Sequence, residues 1–406
     1  MVNNRASRPA GATGDESTRS SAVVAPRIAH AGELIADHAV IVDDGRIADV
    51  VPVTALPDTL PTTILPTGIL APGLIDVHGH GAHGHSANDA SREAIKAVAA
   101  GMLTAGVTTW LPTFASAPVD DLVRGLGAVR ELRGATGVAD MPGAHLEGPY
   151  FAAAQRGAQS LGDLRPLDDG SPDVLLDHAD AIRMISFAPE LPGALAFTRR
   201  LVAAGIVAAA GHTDGTAAHL HAAQDAGLSH VIHIYSGQSV TRRDGPWRVP
   251  GMLEATLASD HLTVEMIADG KHLPPELMTI AHRALRGRLC LVSDATSGAG
   301  LDDGQEYFMG AGTYVVENGV GVTPDRTSFG GSTTLLPAML PIARDVLGID
   351  EGEAIRMATE IPARAARLGD RGSIAAGLRA DFTHLSDELD VLGAAVAGQW
   401  HATSAR

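Results

Sequence analysis

The sequence is poor in lysine, cysteine and aromatic residues. Lys96 and Lys271 are its two lysines, so almost all of the positive charge comes from arginine. The single cysteine, Cys290, cannot form a disulfide within the chain, which fits a reducing compartment. It lies in the apolar run RLCLVSDA, and we interpret it as a small buried hydrophobic residue.

Long apolar runs are also missing. No run reaches the roughly 18 residues that span a bilayer, and residues 1–22 lack the apolar segment of a secretory signal. We therefore predict a cytoplasmic protein with no membrane partner, in which residues 1–22 form a disordered tail. The net charge of −17 also argues against nucleic acid as a partner, because the average field repels polyanions.

The 406 residues exceed the usual length of one domain, and the pattern changes along the chain. From Val23 to Ala71, short apolar stretches alternate with turn signals, and the Asp44-Gly45 pair predicts a tight hairpin. This segment therefore predicts a small β unit.

After Pro72, strand-like runs that end in polar residues alternate with helix-like Ala and Leu segments. Eight such βα repeats predict a parallel barrel, which belongs to the α/β class. In such barrels catalysis belongs to the carboxyl ends of the strands, where these runs carry His, Glu and Asp. The runs are GLIDVHGH, TTWLPTFAS, ADMPGAHLEGP, IRMISFAPE, GIVAAAGHTD, SHVIHIYS, HLTVEMIADG and LCLVSDATS.

Short strand-like segments return near the end of the chain. We predict that residues 23–71 and about 370–402 together form one small β domain, because the N-terminal hairpin has too few strands to stand alone. Residues 72–369 would then form the barrel.

His78 and His80 are separated by one residue, so on a strand both rings point to the same face and can bind one ion. Alone, this spacing is a weak signal. Two solvated loop histidines would give the same pattern.

Four more titratable residues close apolar runs in the same way. Such groups cost desolvation free energy at strand ends unless they are paired, and one shared divalent cation would pair with all of them. The alternative is that each is an independent polar residue with its own partner. The four residues are Glu147, His212, His233 and Asp294.

From Val23 to Val391 the sequence resembles the N-acetylglucosamine-6-phosphate deacetylase family of the amidohydrolase superfamily. The resemblance is specific because the family's blocks occur in order along the chain. These blocks are APGLIDVHGHG, GAHLEGPYF, SFAPE, GIVAAAGHTDGT, HVIHIYS, ADGKH, LCLVSDAT, FGGST and RGSIAAGLRADF.

The resemblance implies a (β/α)8 TIM-like barrel with a small β-sandwich built from both termini. It implies one or two divalent metal ions, with Zn²⁺ favoured over Fe²⁺, Mn²⁺ or Co²⁺. Glu147, His212 and His233 would bind one ion. A second would lie at His78 and His80, with Asp294 near. Some relatives in the superfamily bridge two metals with a carbamylated lysine, but neither lysine here closes a strand, so Glu147 is the better bridge.

The implied reaction is the hydrolysis of N-acetylglucosamine 6-phosphate to glucosamine 6-phosphate and acetate. A metal ion lowers the pKa of the water it binds towards about 7. Asp294 would take the proton from the attacking water and deliver it to the leaving amine. Three alternatives stay open: Asp294 as a plain metal ligand or helix cap, a different N-acyl substrate, and a barrel that binds sugar phosphates without catalysis.

The resemblance also implies a phosphate clamp of Arg248 and His272, in part from a neighbouring subunit, and therefore a homodimer. Two surface cations are the alternative reading. The family's K-G-A-H is RGAQ here, which places Gln159 where relatives have a histidine, and Y-N-A-M is YSGQ. The full predicted substrate-binding set is Arg248, His272, Gln159, Ala158, Ser236 and Gly237.

Overall fold

The computed structural model describes residues 20–309 and 312–401. Residues 1–19 of the predicted tail therefore lie outside the described residues. Residues 20–22 correct the expected limit of that tail, because Ser20 and Ala22 already belong to a strand that pairs with Asp43 and Ile41.

In the part of the chain that the structure describes, seven strands precede the barrel, and four of them form a sheet in the order β5-β4-β1-β6. The predicted hairpin is confirmed, because Asp44 and Gly45 join two antiparallel strands. Their φ values are 45° and 74°, and a two-residue hairpin turn of type I′ requires a positive φ at both residues. The strands are β1 (Ser20–Val24), β2 (Arg27–His30), β3 (Glu33–Ile35), β4 (His38–Asp43), β5 (Arg46–Pro52), β6 (Thr62–Ile64) and β7 (Ile69–Pro72).

The central part of the chain alternates strands and helices. Its strands are β8 (Leu74–Gly79), β9 (Gly81–Ala82), β10 (His85–Ser86), β11 (Val107–Ala115), β12 (Ala144–Glu147), β13 (Ile182–Phe187), β14 (Val207–Ala210), β15 (His230–Val231), β16 (Arg242–Asp244), β17 (Trp247–Val249), β18 (Thr263–Met266) and β19 (Leu289–Leu291). Its helices are α1 (Arg92–Thr104), α2 (Val119–Glu131), α3 (Ser171–Leu176), α4 (Ala194–Ala203), α5 (Ala217–Asp225), α6 (Met252–Ala258) and α7 (Pro275–Ala284).

Eight of these strands form one parallel sheet in which neighbours follow chain order, β8-β11-β12-β13-β14-β15-β18-β19. Each strand corresponds to one of the eight predicted runs. Beyond the strands, the first and last segments meet where Asp294 N donates to His78 O at 2.8 Å. The sheet is therefore a nearly closed barrel whose carboxyl ends share one rim.

The helices cover the barrel with apolar faces. In α1, Ser91 caps the first turn by accepting from Ala94 N, and Ile95, Val98 and Met102 are buried at helical spacing. Burial of each such side chain contributes about 1.5–3 kcal/mol, which fixes the helix against the sheet.

The last part of the chain adds a four-stranded antiparallel sheet, then helices, then three strands. These elements are β20 (Glu306–Met309), β21 (Gly312–Glu317), β22 (Val320–Val322), β23 (Phe329–Ser332), α8 (Leu336–Leu347), α9 (Glu351–Met357), α10 (Glu360–Ala365), β24 (Phe382–Leu385), β25 (Val391–Val396) and β26 (Gln399–His401).

The two ends of the chain meet in a six-stranded sheet, β26-β25-β24-β7-β2-β3, in which Phe382 pairs with Pro72. Val40 from one small sheet and Leu70 and Phe382 from the other share a buried core. The predicted fold class, a barrel with a small β-sandwich from both termini, is confirmed. The domain limits at 23–71, 72–369 and about 370–402 stay a prediction. Within the described residues, no helix is long and apolar enough to cross a bilayer.

Candidate functional site

The six predicted metal ligands all lie at the carboxyl rim of the barrel. Because parallel strands end on the same side, residues far apart in the chain converge there. His78 lies in β8 and His80 follows it, Glu147 ends β12, and His212, His233 and Asp294 follow β14, β15 and β19 by two or three residues.

Glu147 is the centre of this cluster and is 2% exposed. Its Oε1 lies 3.0 Å from His212 Nε2 and 2.9 Å from His233 Nε2. The same oxygen lies 3.6 Å from His78 Nε2, and Oε2 lies 3.4 Å from His80 Nε2. One carboxylate therefore contacts both predicted halves of the site.

Asp294 faces Glu147 across the two histidines of β8 and its loop. Asp294 Oδ1 lies 3.2 Å from His80 Nε2 and 3.5 Å from His78 Nε2. His78, His80 and Asp294 have ligand atoms close enough to share an ion, and so do His78, Glu147 and His233.

The hydrogen bonds of two rings test whether this cluster fits a cation. His212 Nδ1 donates to Gln155 O at 2.8 Å, and His80 Nδ1 donates to Thr113 O at 3.1 Å, since a carbonyl can only accept. In a neutral ring Nε2 then carries a lone pair, and in both rings it faces carboxylate oxygens. Lone pairs that face each other repel, whereas a cation between them binds both, so the donor set fits a metal ion.

His78 adds an orphaned atom to this picture. Its ring is fully buried, and its Nε2 has no hydrogen-bond partner. A buried polar atom without a partner costs about 1–3 kcal/mol, and this one points at Glu147 and Asp294. A bound metal ion would give His78 Nε2 the partner that it lacks.

Both carboxyl groups of the cluster are held in the ionised form. Burial by itself raises the pKa of Glu147, but the close contacts with the rings of His212 and His233 outweigh burial and hold the pKa well below its usual range. Burial likewise raises the pKa of Asp294, but the close contacts with His80 and the other histidines of the cluster lower it overall. Anionic ligands are therefore present at neutral pH.

Strained backbone accompanies two of the candidate ligands. His212 and Asp294 have φ values of 44° and 46°, in the left-handed region that side chains with a Cβ disfavour. Gly237 allows the close packing around His212, because a Cβ at Gly237 would lie 2.7 Å from His212 Nδ1.

A cavity of about 200 Å³ opens above the cluster. Five of the six residues predicted to bind substrate line it, namely Ala158, Gln159, Ser236, Gly237 and His272. Met309 and Phe329, which the sequence analysis did not identify, complete one wall.

His272 has a fixed orientation at the side of this cavity. Its Nδ1 lies 2.8 Å from Asp269 Oδ2, and its ring packs against Phe329 with the ring centroids 4.8 Å apart. Asp269 also accepts from the backbone N–H of Lys271 and of His272, which closes the ADGKH turn.

Arg248 is the exception among the predicted substrate-binding residues. It lies in β17 of the exposed hairpin β16–β17, outside the cavity of its own chain, and its Nη1 donates to Pro246 O. Arg248 therefore does not line the cavity of its own chain, and its role in substrate binding stays a prediction. The segment TRRDGP, residues 241–246, supplies the first strand and the turn of this hairpin, which carries the arginine outward.

The two lysines do not contact the cluster. Lys96 lies exposed on α1, and Lys271 Nζ donates to Gly319 O at 2.7 Å. Neither lysine is therefore placed to take part in the cluster.

Two buried residues below the cluster, Glu265 in β18 and His230 in β15, were not predicted from the sequence. Glu265 Oε2 lies 2.8 Å from His78 Nδ1, and Oε1 lies 3.0 Å from His230 Nε2. A glutamate within an otherwise apolar strand was the available signal, because such a residue is costly unless it is paired.

Sequence comparison with known proteins agrees with the geometry of the site. The sequence profile of the amidohydrolase family matches residues 69–402. An N-acetylgalactosamine-6-phosphate deacetylase of Escherichia coli O157:H7 is 33% identical over 298 residues, which are 72% of this chain and 77% of the relative. An N-acetylglucosamine-6-phosphate deacetylase of Vibrio furnissii is 31% identical over 306 residues, 74% of this chain and 75% of the relative.

Solved structures agree over a longer span. The crystal structure of N-acetylglucosamine-6-phosphate deacetylase from Pasteurella multocida has a TM-score of 0.88 at 28% identity and covers 95% of this chain and 100% of its own. A mutant of the Mycobacterium smegmatis enzyme in complex with N-acetyl-D-glucosamine-6-phosphate has a TM-score of 0.86 at 29% identity, with the same coverage.

Proposed function

The chain belongs to the amidohydrolase family and is a hydrolase of an amide C–N bond, and we propose that it deacetylates N-acetylglucosamine 6-phosphate to glucosamine 6-phosphate and acetate. One observation carries the proposal. The cavity that holds His272, Ser236 and Gly237 on its walls has Glu147, His212, His233, His80 and Asp294 at its floor. Groups for amide cleavage and groups for a polar ligand therefore share one pocket.

The metal site would be held by the predicted ligands. Glu147, His212 and His233 would bind one ion, which is supported by the contacts of Glu147 with both rings. His78, His80 and Asp294 would bind a second, because their ligand atoms lie close enough together to share an ion. Zn²⁺ is the ion we favour, because imidazole and carboxylate donors suit it. When bound, the metal supplies Lewis-acid polarisation of the amide carbonyl and a lower pKa for water.

Asp294 is the residue we assign to proton transfer. Its carboxylate is ionised at neutral pH, and it lines the cavity. It can accept a proton from the attacking water and then donate the proton to the nitrogen of the leaving amine. The strained backbone at Asp294 is held in place by two hydrogen bonds, Asp294 N to His78 O and Ser332 N to Asp294 O, both 2.8 Å long.

Two hydrogen-bond donors are available for the phosphate group, but they come from different places. His272 lies in the cavity, while Arg248 lies on the exposed hairpin. We propose that the protein is a cytoplasmic homodimer in which the hairpin of one subunit brings Arg248 to the cavity of its partner. A guanidinium and an imidazole would then hold the phosphate together.

The second candidate substrate is N-acetylgalactosamine 6-phosphate, which differs at one hydroxyl. The E. coli relative, named for that substrate, is 33% identical, and the V. furnissii relative, named for the glucosamine compound, is 31% identical, so identity does not choose between them. An N-acyl amino acid is less favoured because it lacks a phosphate for His272. A barrel without catalysis is least favoured, because each of the six predicted ligand positions carries a residue that can bind a metal ion.

The test is acetate release by the purified, metal-analysed protein from four compounds. These are N-acetylglucosamine 6-phosphate, N-acetylgalactosamine 6-phosphate, unphosphorylated N-acetylglucosamine and an N-acetyl amino acid. We expect the first to have the highest kcat/KM and the unphosphorylated sugar to react poorly. Preference for the galactosamine compound would select the second candidate. No release from any of the four, with metal bound, would reject the proposal.

Asp294→Asn is the matched variant for that assay. It keeps the shape of the side chain but cannot accept the proton, and we expect kcat to fall by about 10²–10⁴-fold. Full activity in a metal-loaded Asp294→Asn protein would remove the proposed proton transfer.

A further inference from the structure

Glu265 is a fully buried carboxylate in the middle of the barrel. It lies in β18 between Val264 and Met266, which face the apolar core outside the strand, so alternation turns Glu265 inward. It is 0% exposed. A buried carboxylate without partners is strongly destabilising, so the contacts of Glu265 indicate its role.

Glu265 uses both oxygens on groups from two other strand ends. Oε2 accepts from the backbone N–H of His233 at 3.1 Å and lies 2.8 Å from His78 Nδ1. Oε1 lies 3.0 Å from His230 Nε2, and His230 Nδ1 lies 2.8 Å from Thr263 Oγ1. The carboxylate therefore joins the segment that carries His233 to the ring of His78, across the barrel interior.

These contacts decide which nitrogen of His78 carries a proton. An ionised carboxylate can only accept, so His78 Nδ1 must carry the hydrogen. A histidine that binds a metal ion is neutral, so in that state Nε2 carries the free electron pair, and Nε2 is the orphaned atom that lies 3.6 Å from Glu147 Oε1 and 3.5 Å from Asp294 Oδ1. Glu265 thus sets both the tautomer and the direction of this ring.

We propose that Glu265 is a positioning residue, anchored by His230, that fixes His78 as an Nε2 metal ligand and holds His233 in register with it. The proposal rests on the metal site of the proposed function. It adds that the affinity of the site for metal depends on a residue outside the six proposed ligands. That residue is the carboxylate of Glu265 on β18, which itself does not bind the metal.

A purely structural role makes a different prediction. If Glu265 and His230 were only a satisfied buried pair, the loss of one charge would lower the stability of the fold and leave the metal affinity of the folded protein unchanged. A positioning role predicts a loss of metal affinity beyond any loss of stability.

The experiment measures Zn²⁺ affinity and stoichiometry by competition with a chromophoric chelator, without any sugar. The variant is Glu265→Gln, which keeps the shape of the side chain and removes the charge. We expect a folded protein whose Zn²⁺ affinity is about 10–100-fold weaker for at least one ion. Wild-type affinity and stoichiometry in Glu265→Gln would overturn the proposal.

Asp140→Asn is the control of matched chemistry. Asp140 also has a charged partner, Arg371, at 2.6 Å, but its ion pairs are with Arg371 and Arg379 and not with the cluster. We expect the thermal midpoint to fall and the Zn²⁺ affinity to stay at the wild-type value. An equal loss of affinity in this variant would assign the effect to general instability and overturn the proposal.

His230→Phe keeps the test open if Glu265→Gln does not fold. It removes the donor to Glu265 Oε1 and leaves the contacts of Oε2 in place, so we expect a smaller loss of Zn²⁺ affinity, up to about tenfold. Unchanged affinity in this variant would remove His230 from the proposal, and with an unfolded Glu265→Gln it would overturn the proposal as a whole. Because no substrate is used, failure of the deacetylase assignment leaves this result readable, and the reverse also holds.

Discussion

Gln159 Nε2 donates a hydrogen bond of 2.6 Å to Glu147 Oε2, and Gln159 Oε1 accepts from Ser116 N at 2.8 Å. Both ends of the amide are therefore used within the protein. Gln159 was predicted to bind substrate, and it does line the cavity, but its contacts show that it also orients the central carboxylate.

This bond predicts the effect of Gln159→Leu. The change leaves Glu147 Oε2 and Ser116 N without their partner, so we expect Zn²⁺ affinity to fall by about 10–100-fold, as for other groups that orient a ligand. Chelator competition measures the affinity. An increase in KM with unchanged Zn²⁺ affinity would instead assign Gln159 to the substrate alone.

Loss of a ligand should be more severe than loss of a group that orients one. For His233→Gln we expect Zn²⁺ affinity to fall by at least about 100-fold, and acetate release to fall with the bound metal. Dialysis of the wild type against a chelator should abolish acetate release, and added Zn²⁺ should restore it. The control is His221→Gln, on the exposed face of α5. Chelated protein with full activity would contradict the metal site.

The position of Arg248 outside its own cavity predicts complementation between two defective variants. If Arg248 acts on the partner's cavity, a mixed dimer of Arg248→Ala and Asp294→Asn chains contains one intact site. After random reassociation half of the dimers are mixed, and each mixed dimer has one intact site out of two. About a quarter of the wild-type sites should therefore be restored. Acetate release after the two proteins are unfolded and refolded together measures this. If Arg248 acts within its own chain, no activity will return.

Arg371 predicts a large effect on stability far from the site. Its buried guanidinium donates to Asp140 Oδ2 at 2.6 Å and to Thr109 Oγ1 at 3.0 Å, which ties the C-terminal segment to the barrel. Arg371→Ala leaves Asp140 without this partner, and we expect the free energy of unfolding to fall by about 3–5 kcal/mol. Urea unfolding measures the loss.

The control for Arg371→Ala is Arg124→Ala on α2. Arg124 pairs with Asp121 at 2.8 Å, but the two side chains are 58% and 40% exposed, so we expect a change of about 0–1 kcal/mol. Equal shifts for the two variants would show that burial of the Arg371 pair has no consequence.

Cys290 predicts an unreactive thiol. The residue is fully buried in β19, burial raises its thiol pKa well above the ordinary value, and the reactive form is the thiolate. We expect no reaction of the native protein with a disulfide reagent and one equivalent per chain after denaturation, since the chain has one cysteine. Rapid labelling of the native protein would show that this part of the barrel opens.

The barrel strands and the candidate ligands could be predicted from the sequence, because both follow from the local pattern of apolar runs and of the polar residues that end them. His78 and His80 stand at a spacing of two after an apolar run, and a parallel strand of such a run places its carboxyl end at the common rim. The pattern needs no knowledge of distant contacts, so the strands and the candidate ligands could be predicted together.

Glu265 and Arg248 were beyond such patterns for two different reasons. Glu265 contacts His78, 187 residues away, and no local spacing encodes that contact. Within TVEM it has the same alternation as a glutamate that faces solvent. The family resemblance placed Arg248 in the phosphate clamp, but whether its hairpin turns inward or outward depends on tertiary packing, which the resemblance does not contain.

The pairing of β7 with β24 sets the order in which the protein can finish folding during its synthesis. At about 5–20 residues per second, the ribosome needs roughly 15–60 s to pass from Pro72 to Phe382, its partner across the two strands. Throughout that interval one edge of β7 is open to pairing with other nascent chains. The β7 edge is therefore covered only when the carboxyl-terminal strands have been synthesised. A chain that stalls within the barrel would leave the β7 edge for chaperones to cover.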